Sequence, residues 1–289
     1  MLSSKTIFVV GSGSMGAGIA QVAAVSGFQV CLNDLTQAQV EKAKDRIDKN
    51  LDKLAAKEKL TEDPDVIRQR LSYTDSYEKA AEADIVIEAI YENLEAKKEI
   101  FRTLAPLVRE DTILASNTSS LSLTALAAGI PHPERFIGLH FFYPVPVMKL
   151  LEIVVSLYTS PETIAFGKEL GNLLGKEVVV AKDSPGFIVN RALVMMLNEA
   201  IFLYEEGVGT AEDIDKAMML GCNHPIGPLS LADMLGLDIV GAVMETFYKG
   251  FADSKYRPAP LLRKMTEAGL LGVKTRRGFY QYDETGKKI

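Results

Sequence analysis

Cysteine is scarce in this 289-residue sequence, which has only Cys31 and Cys222, single and far apart. That spacing argues against a disulfide framework and against a CxxC metal site, and it suits a reducing compartment. We therefore predict a cytoplasmic protein without a metal site.

Long apolar runs and an excess of positive charge are also missing. No apolar stretch approaches bilayer length, and the chain leads directly into the short apolar segment 7–10, which argues against a membrane span and a signal peptide. A formal net charge of −6 gives no general attraction to nucleic acid or to anionic membrane. We expect neither as a partner, so an anionic ligand must be held by a local site.

The first half of the sequence alternates β-rich and helical segments. With 47% hydrophobic and 24% charged residues, the chain is typical of a folded protein, and its length allows two cores. We predict strands at residues 6–10, 29–33, 84–90, 112–116, 136–142, 151–156 and 177–181. Strands that alternate with helices form a mostly parallel sheet.

The pattern changes at Asp183-Ser184-Pro185-Gly186, after which the periodic segments are helical: 187–206, a segment opened by Thr210, 230–248 and 260–268. We predict an α/β domain over residues 1–183 and a smaller all-α domain over 184–289. The second domain is rich in methionine. Core filling explains any single one, but so much apolar surface on few helices also suggests contact with another subunit.

A glycine turn follows the first predicted strand and opens a helix over residues 17–26. In the motif G-x-G-x-x-G the first glycine allows the tight turn, the second lets the backbone approach a pyrophosphate, and the third lets helix and strand pack closely. The pyrophosphate then meets free N–H groups at the helix N-terminus. We predict a Rossmann-type domain whose cofactor contacts here are Gly11, Gly13, Ser14, Met15 and Gly16.

Asp34 ends the second predicted strand, 18 residues past Gly16. A carboxylate there accepts hydrogen bonds from ribose hydroxyls and repels a 2′-phosphate, so NAD is favoured over NADP. A chance glycine cluster would not have strand, helix and Asp34 in register. FAD uses the same turn, but no second FAD signature is present.

Residues 38–59 are predicted to form a helix with an apolar, an acidic and a basic face, part of a basic helical hairpin inserted in the first domain. The basic face holds Lys42, Arg46, Lys49, Lys53 and Lys57. Two interpretations stay open: a solvated helix supported by i,i+4 ion pairs, or a face that binds phosphates of a substrate.

His140 is the candidate general base. It ends an apolar predicted strand, where an imidazole has no packing role, whereas His132 lies between prolines and His224 is expected to hold a loop. A lone histidine is often structural. A nearby NAD site favours the catalytic role, because oxidising an alcohol requires a base for its proton. Glu152 could orient and stabilise the imidazole.

Several long motifs together resemble the L-3-hydroxyacyl-CoA dehydrogenase family, including its 3-hydroxybutyryl-CoA members, over nearly the whole chain. They are the glycine turn and the segments 117–121 (NTSSL), 140–142 (HFF), 144–150 (PVPVMKL), 183–191 (DSPGFIVNR), 225–229 (PIGPL), 236–238 (GLD) and 278–280 (GFY). One position departs from the pattern: Tyr143 stands where the family usually has an asparagine that is expected near the nicotinamide.

The resemblance implies roles residue by residue. It makes His140 the catalytic base, with Glu152 as its carboxylate partner. The residues implied to contact the substrate near the reacting carbon are Ser119 and Asn190. The further cofactor contacts implied are Glu92, Lys97, Ser119 and Lys274. The CoA contacts implied are Asn50, Lys57 and Ser119, which favours the phosphate-binding interpretation of the basic face.

The family further implies reversible, NAD-dependent oxidation of an (S)-3-hydroxyacyl-CoA, 3-hydroxybutyryl-CoA in particular, to the 3-oxoacyl-CoA. It implies a place in fatty-acid β-oxidation or butanoate metabolism, and a homodimer joined through the C-terminal domain. Three alternatives remain: a dehydrogenase of a hydroxy acid without CoA, such as a sugar acid; a methylene-bridge oxidoreductase; and a non-catalytic structural relative. The pair His140 and Glu152 argues against the last two.

Overall fold

The computed structural model describes residues 5–289, and the chain divides between Ser184 and Pro185 into two compact units. The first unit contains β1 (Thr6–Val10), α1 (Ser14–Val25), β2 (Gln29–Asn33), α2 (Gln37–Ala55), α3 (Pro64–Gln69), β3 (Leu71–Thr74), a 3-10 turn (Glu78–Glu82), β4 (Ile85–Glu88), α4 (Leu94–Leu104), β5 (Ile113–Ser116), α5 (Leu123–Ala127), a 3-10 turn (Pro133–Arg135), β6 (Phe136–Phe141), β7 (Leu150–Val155), α6 (Pro161–Leu173) and β8 (Glu177–Lys182).

The strands form one eight-stranded sheet in the order β3-β2-β1-β4-β5-β6-β7-β8. Every neighbouring pair is parallel except β6 and β7, which run antiparallel. The central strands are continuous apolar runs because helices cover both faces of the sheet. In β1, Ile7, Phe8 and Val9 are fully buried. This architecture confirms the predicted fold class for the first part of the chain.

One strand is missing from the predictions. The edge strand β3 has only four residues, Leu71-Ser72-Tyr73-Thr74, of which only Leu71 is buried. A strand so short and so polar does not stand out from the loops around it. The strand predicted at 84–90 is also shorter in the structure, because β4 ends at Glu88 and the chain turns there.

Helix α2 ends earlier than the predicted 38–59, and its two charged faces have different surroundings. The acidic face meets α3, where the Arg68 guanidinium pairs with Asp48 at 3.2 Å and also with Asp52. Among the residues that the structure describes, no lysine of the basic face forms a salt bridge. The structure therefore gives no support to the i,i+4 ion-pair interpretation for the lysines of this face, which are exposed.

The second unit is helical, which confirms the predicted all-α class. It contains α7 (Val189–Glu205), α8 (Ala211–Gly221), α9 (Pro228–Leu235), α10 (Leu237–Phe251), a 3-10 turn (Ser254–Tyr256), α11 (Pro260–Glu267) and a 3-10 turn (Val273–Thr275). The single helix predicted over 230–248 is wrong. Gly236, with φ of +101°, breaks it into α9 and α10 in a conformation that residues with a side chain rarely adopt.

Two buried carboxylates organise the second unit. Asp233 has no solvent exposure and accepts hydrogen bonds from the backbone of Phe279 and Tyr280, each at 3.0 Å, and from the Tyr282 hydroxyl at 2.9 Å. Asp215 accepts from the Tyr280 hydroxyl at 2.9 Å. These bonds attach the C-terminal segment to α8 and α9.

No helix among the described residues is long and apolar enough to cross a bilayer.

Candidate active site

The glycine turn between β1 and α1 has three glycines with three different physical reasons. A Cβ on Gly16 would lie 1.8 Å from the Gly11 carbonyl oxygen, so the turn closes only without a side chain. Gly11 has φ of +95° and a Cβ there would lie 2.7 Å from the Ala89 carbonyl oxygen. Gly13 differs, because nothing lies within 4 Å of where its Cβ would stand. Its missing side chain opens space instead of relieving a clash.

That space belongs to a cavity of about 660 Å³, here called the cofactor cavity. It is lined by the turns that follow β1, β2 and β4, including Gly11, Gly13, Asp34, Ala89 and Ile90. The strand order reverses between β1 and β4, and ligands of open α/β sheets bind at such a switch point. A pyrophosphate fits over Gly13 and the start of α1, so the residues present suit a dinucleotide.

Asp34 both braces the turn and faces the cofactor cavity. Its Oδ2 accepts hydrogen bonds from the Ser12 backbone N–H at 2.7 Å and from the Ser12 hydroxyl at 2.6 Å. Its Oδ1 accepts from the Leu35 backbone at 2.7 Å. A carboxylate has about four acceptor positions, so capacity remains for a ribose hydroxyl. Ser14 opens α1 and is exposed, whereas Met15 is half-buried against the core.

A buried ion pair lies at the carboxyl end of β4. Glu88 and Lys97 are almost fully buried, and the Lys97 ammonium donates to Glu88 Oε1 at 2.6 Å. Ser116, at the end of β5, donates to the other oxygen of Glu88 at 2.6 Å. The charge of Lys97 is thus neutralised mainly by Glu88 inside the fold. Its ammonium lies farther from the Glu92 carboxylate, at 3.4 Å. Sequence reasoning missed Glu88, although a carboxylate inside the apolar run IVIEAI was the available signal.

Glu92 holds the loop that carries Ser119. One of its oxygens, Oε1, accepts from the Thr118 hydroxyl at 2.6 Å and from the Ser119 backbone at 2.8 Å. Burial raises the pKa of the Glu92 carboxyl, but the Lys97 ammonium and the hydrogen bonds from Thr118 and Ser119 bring it below its usual value. Glu92 therefore stays ionised and keeps accepting. Of the predicted residues, Glu92, Lys97 and Ser119 lie together in one network.

His140 and Glu152 face each other across the one antiparallel pairing of the sheet, in register on β6 and β7. His140 Nδ1 lies 2.7 Å from Glu152 Oε2, and the two residues are 5% and 0% exposed. A buried carboxylate makes Nδ1 the protonated nitrogen and leaves the lone pair on Nε2, the tautomer that a base needs. Asn117 Oδ1 accepts from the Phe141 backbone at 2.9 Å and so aligns the end of β6.

The loop between His140 and Glu152 forms one wall of a second cavity. This basic cavity measures about 390 Å³ and is lined on one side by Tyr143 and residues 144–147 and on the other by Arg46, Asn50, Lys53 and Lys57 of α2 and its C-terminal extension. It places Asn50 and Lys57 together, as predicted for CoA contacts. Tyr143 is 68% exposed and borders this cavity.

Lys176 holds that wall in place, and no sequence pattern indicated it. Its ammonium is almost buried and donates to the carbonyl oxygens of Val145 at 2.6 Å and Met148 at 2.8 Å. Burial lowers the pKa of this ammonium. Val145 in turn lies where a Cβ on Gly18 of α1 would come within 2.9 Å, so the loop packs directly on the helix that follows the glycine turn.

The two remaining predicted residues lie in the second unit. Asn190 is the second residue of α7 and is half-buried, and Lys274 forms an ion pair with Asp238 at the start of α10. The structure gathers the other predicted residues within the first unit. Among residues 5–289, no group of three or more His, Cys, Asp or Glu side chains is placed to hold a metal ion.

Comparison with known proteins agrees with this geometry. Residues 6–184 match the family model described as 3-hydroxyacyl-CoA dehydrogenase, NAD binding domain, and residues 186–282 match the C-terminal domain model of the same family. The probable 3-hydroxybutyryl-CoA dehydrogenase of Deinococcus radiodurans is 49% identical, over 95% of this chain and 99% of that protein. The 3-hydroxybutyryl-CoA dehydrogenase of Clostridioides difficile is 47% identical, over 96% and 99%.

A solved structure gives the same result. The crystal structure of (S)-3-hydroxybutyryl-CoA dehydrogenase from Ralstonia eutropha has a TM-score of 0.95 and 50% identity, and the match covers 97% of this chain and all of that one. The resemblance seen in the sequence motifs and the prediction of NAD as cofactor are both confirmed. The chain belongs to the 3-hydroxyacyl-CoA dehydrogenase family.

Proposed function

We propose that this protein interconverts (S)-3-hydroxyacyl-CoA, 3-hydroxybutyryl-CoA above all, and the corresponding 3-oxoacyl-CoA, with NAD as the oxidant. The observation that carries the proposal is the buried pair of His140 and Glu152, held 2.7 Å apart in the unit that also contains the glycine turn. Oxidation of the C3 alcohol breaks an O–H and a C–H bond and forms a C=O bond. When bound, NAD supplies the acceptor for the hydride from C3.

His140 Nε2 takes the hydroxyl proton in this mechanism. The imidazole becomes a cation, and the carboxylate of Glu152 at Nδ1 stabilises that cation without moving. Both groups sit on neighbouring strands, so their geometry is built before the substrate arrives and costs no reorganisation during the reaction. In the reverse direction the same imidazolium returns the proton to the oxygen of the 3-oxo group.

Ser119 and Asn190 position the reacting carbon in our proposal. Glu92 restrains the loop that carries Ser119, because its Oε1 accepts from the Thr118 hydroxyl and from both the backbone and the hydroxyl of Ser119, the last at 3.2 Å, so the Ser119 hydroxyl is held in place. Glu92, Lys97 and Lys274 serve the cofactor. Because Lys97 is buried against Glu88, its proposed role is to shape this end of the cofactor cavity together with Glu92.

The basic cavity holds the CoA handle. Among the described residues, the lysines of the basic face form no salt bridge, and Asp48 and Asp52 on the acidic side of α2 pair with Arg68 of α3. In a protein of net charge −6 this exposed cluster is a local site for phosphates. Asn50 and Lys57 are the proposed contacts, with the loop 143–147 as the apolar wall on the other side.

The second unit forms the homodimer contact in our proposal. Exposed apolar side chains stand on three consecutive helices: Leu220 of α8 is 76% exposed, Met234 of α9 is 58% exposed and Ile239 of α10 is 53% exposed. A monomer rarely leaves such a set in water. Both explanations of the methionines apply, because Met244 is fully buried in the core whereas Met234 is exposed.

Replacing His140 with Gln removes the base and keeps the volume of the side chain. We expect kcat for acetoacetyl-CoA reduction to fall by about 10²–10⁴-fold, the usual contribution of a positioned general acid or base. NADH affinity, measured by fluorescence titration, should not change. His132→Gln is the matched control, because His132 is exposed and pairs only with Glu134 among the described residues. Wild-type turnover in His140→Gln would refute the assignment.

Replacing Asp34 with Ser removes the charge that repels a 2′-phosphate. The ratio of kcat/KM for NADH over NADPH should fall by about tenfold, since the repulsion between two like charges near a surface is roughly 1–4 kcal/mol. Asp34→Asn separates this effect from bracing of the turn, because its amide oxygen can still accept from Ser12. If neither variant changes the ratio, another group reads the ribose.

Replacing Lys57 with Gln tests the phosphate handle. KM for acetoacetyl-CoA should rise about fivefold, the equivalent of about 1 kcal/mol for an exposed charge-assisted bond. KM for the acetoacetyl thioester of N-acetylcysteamine, which lacks the phosphates, should stay the same. Lys44→Gln is the control, since Lys44 is exposed on α2 but borders neither cavity described above. An equal change with both thioesters would contradict the handle and favour a hydroxy-acid substrate without CoA.

Replacing both Leu220 and Met234 with Glu should break the homodimer. Wild-type protein is expected to sediment at twice the mass of the chain, and the double variant at the mass of one chain, because charges cannot be buried in an apolar contact. Lys264→Glu, on an exposed position of α11, should leave the dimer intact. A wild-type protein that sediments as a monomer at micromolar concentration would rule out the proposed contact.

A further inference from the structure

Arg46 connects the basic face of α2 with the glycine turn. Its side chain is exposed along most of its length, but its Nη2 donates to the carbonyl oxygen of Ser12 at 2.7 Å and to that of Gly13 at 2.9 Å. Among the described residues, no lysine of the basic face makes a hydrogen bond to the turn. Arg46 is therefore both a member of the phosphate-binding face and a part of the turn that faces the cofactor cavity.

These two bonds set the direction of the backbone N–H groups of the turn. In a planar trans peptide the carbonyl oxygen and the next N–H point in opposite directions. With the Ser12 and Gly13 carbonyls held by Arg46, the N–H groups of Gly13 and Ser14 point away from α2. The Gly13 carbonyl also accepts from Ala17 at 3.0 Å as the first bond of α1, so these N–H groups stand at the open helix N-terminus.

Ser12 is held at both ends by opposite charges. Its N–H and hydroxyl donate to Asp34, and its carbonyl accepts from Arg46. Three glycines give the backbone of this turn more conformational freedom than residues with side chains would have. The charged bonds to Asp34 and Arg46 restrict that freedom before the cofactor binds.

Arg46 also borders two openings beside α2, the basic cavity and a neighbouring groove. It lines the basic cavity with Asn50 and Lys53, and it lines a neighbouring groove of about 400 Å³ with Lys42 and Lys49. A guanidinium has five N–H donors in a fixed fork, and in the described structure only Nη2 is used by the protein. Nη1 and Nε can therefore donate to a phosphate while Nη2 keeps its hold on the turn.

We propose that Arg46 is a positioning residue for the cofactor turn, and that through it a CoA phosphate strengthens the binding of NAD and NADH. The second part rests on the CoA site proposed above. A phosphate that binds Nη1 and Nε removes the rotamer freedom that the Nη2 bonds leave to the Arg46 side chain. Once that ordering is complete, the turn is more rigid and the dinucleotide loses less entropy on binding. The coupling is reciprocal, so NADH strengthens CoA binding by the same factor.

The experiment measures NADH affinity by fluorescence titration, without and with saturating free coenzyme A, for the wild type, Arg46→Gln, Arg46→Lys and Lys44→Gln. Without coenzyme A, Arg46→Gln should bind NADH about 3–10-fold more weakly, as expected for exposed charge-assisted hydrogen bonds. Arg46→Lys should recover part of this loss, because an ammonium keeps the charge but lacks the planar fork. Lys44→Gln should bind NADH like the wild type, since Lys44 is exposed on α2 and lines neither the basic cavity nor the neighbouring groove.

Coenzyme A should raise the NADH affinity of the wild type and of Lys44→Gln about 2–5-fold, and should leave that of Arg46→Gln unchanged. Circular dichroism of each variant checks that α2 is intact. Wild-type NADH affinity in a folded Arg46→Gln would overturn the positioning role. An equal response to coenzyme A in wild type and Arg46→Gln, or no response in the wild type, would overturn the coupling.

The failure of the proposed function has a separate signature. If the wild type binds NADH but does not reduce acetoacetyl-CoA, the substrate assignment is wrong. Weaker NADH binding by Arg46→Gln in the absence of coenzyme A would still show that Arg46 positions the turn.

Discussion

A carboxylate with no exposure to water needs a matched partner, and the site is built around one such pair. Glu152 is fully buried, and its oxygen lies 2.7 Å from His140 on the strand beside it. Removing either partner would leave a buried polar or charged group uncompensated, at a cost of about 3–5 kcal/mol for an ion pair. The pair lies across β6 and β7, the only antiparallel neighbours in the described sheet, so the reversal of chain direction there puts the imidazole and the carboxylate face to face. The connecting loop, held by Lys176, then becomes the wall of the basic cavity.

The charges of the first unit are arranged so that an acidic protein presents an exposed basic face. Arg68 pairs with Asp48 and Asp52 on the acidic side of α2, and the lysines of the basic face stay exposed. Glu88 neutralises Lys97 inside the fold, which frees Glu92 to restrain the Ser119 loop. Arg46 donates to the glycine turn through Nη2, and its other nitrogens remain available for further hydrogen bonds. The positions of Arg68, Lys97 and Arg46 are thus set by the acceptors nearest to them. The net charge of the protein indicates none of these positions.

Much of the fold was predictable, because its signals are local. The strands β1 and β2 were predicted with the bounds they have, since each is an apolar run next to a turn signal. The edge strand β3 was missed because four half-polar residues carry no such signal, and the break at Gly236 was missed because an apolar period continues across it. In the site, His140 stood out as an imidazole in an apolar strand. Glu88 carried the same kind of signal and was overlooked. Lys176 and the bond of Arg46 to the turn could not be predicted, because their partners are backbone carbonyls brought close only by the fold.

By itself, the sequence determined the class of the fold, the glycine turn, NAD as the cofactor and the family to which the chain belongs. These features depend on residue types at short, fixed spacings along the chain, and such spacings can be recognised in the sequence alone. Only the tertiary structure decided which charges meet. It matched the acidic face of α2 with Arg68, buried Lys97 against Glu88 and brought Arg46 to the backbone of the turn, 33 residues away from Gly13. The strength of an electrostatic contact depends on distance and burial, and the fold sets both for residues far apart in the chain.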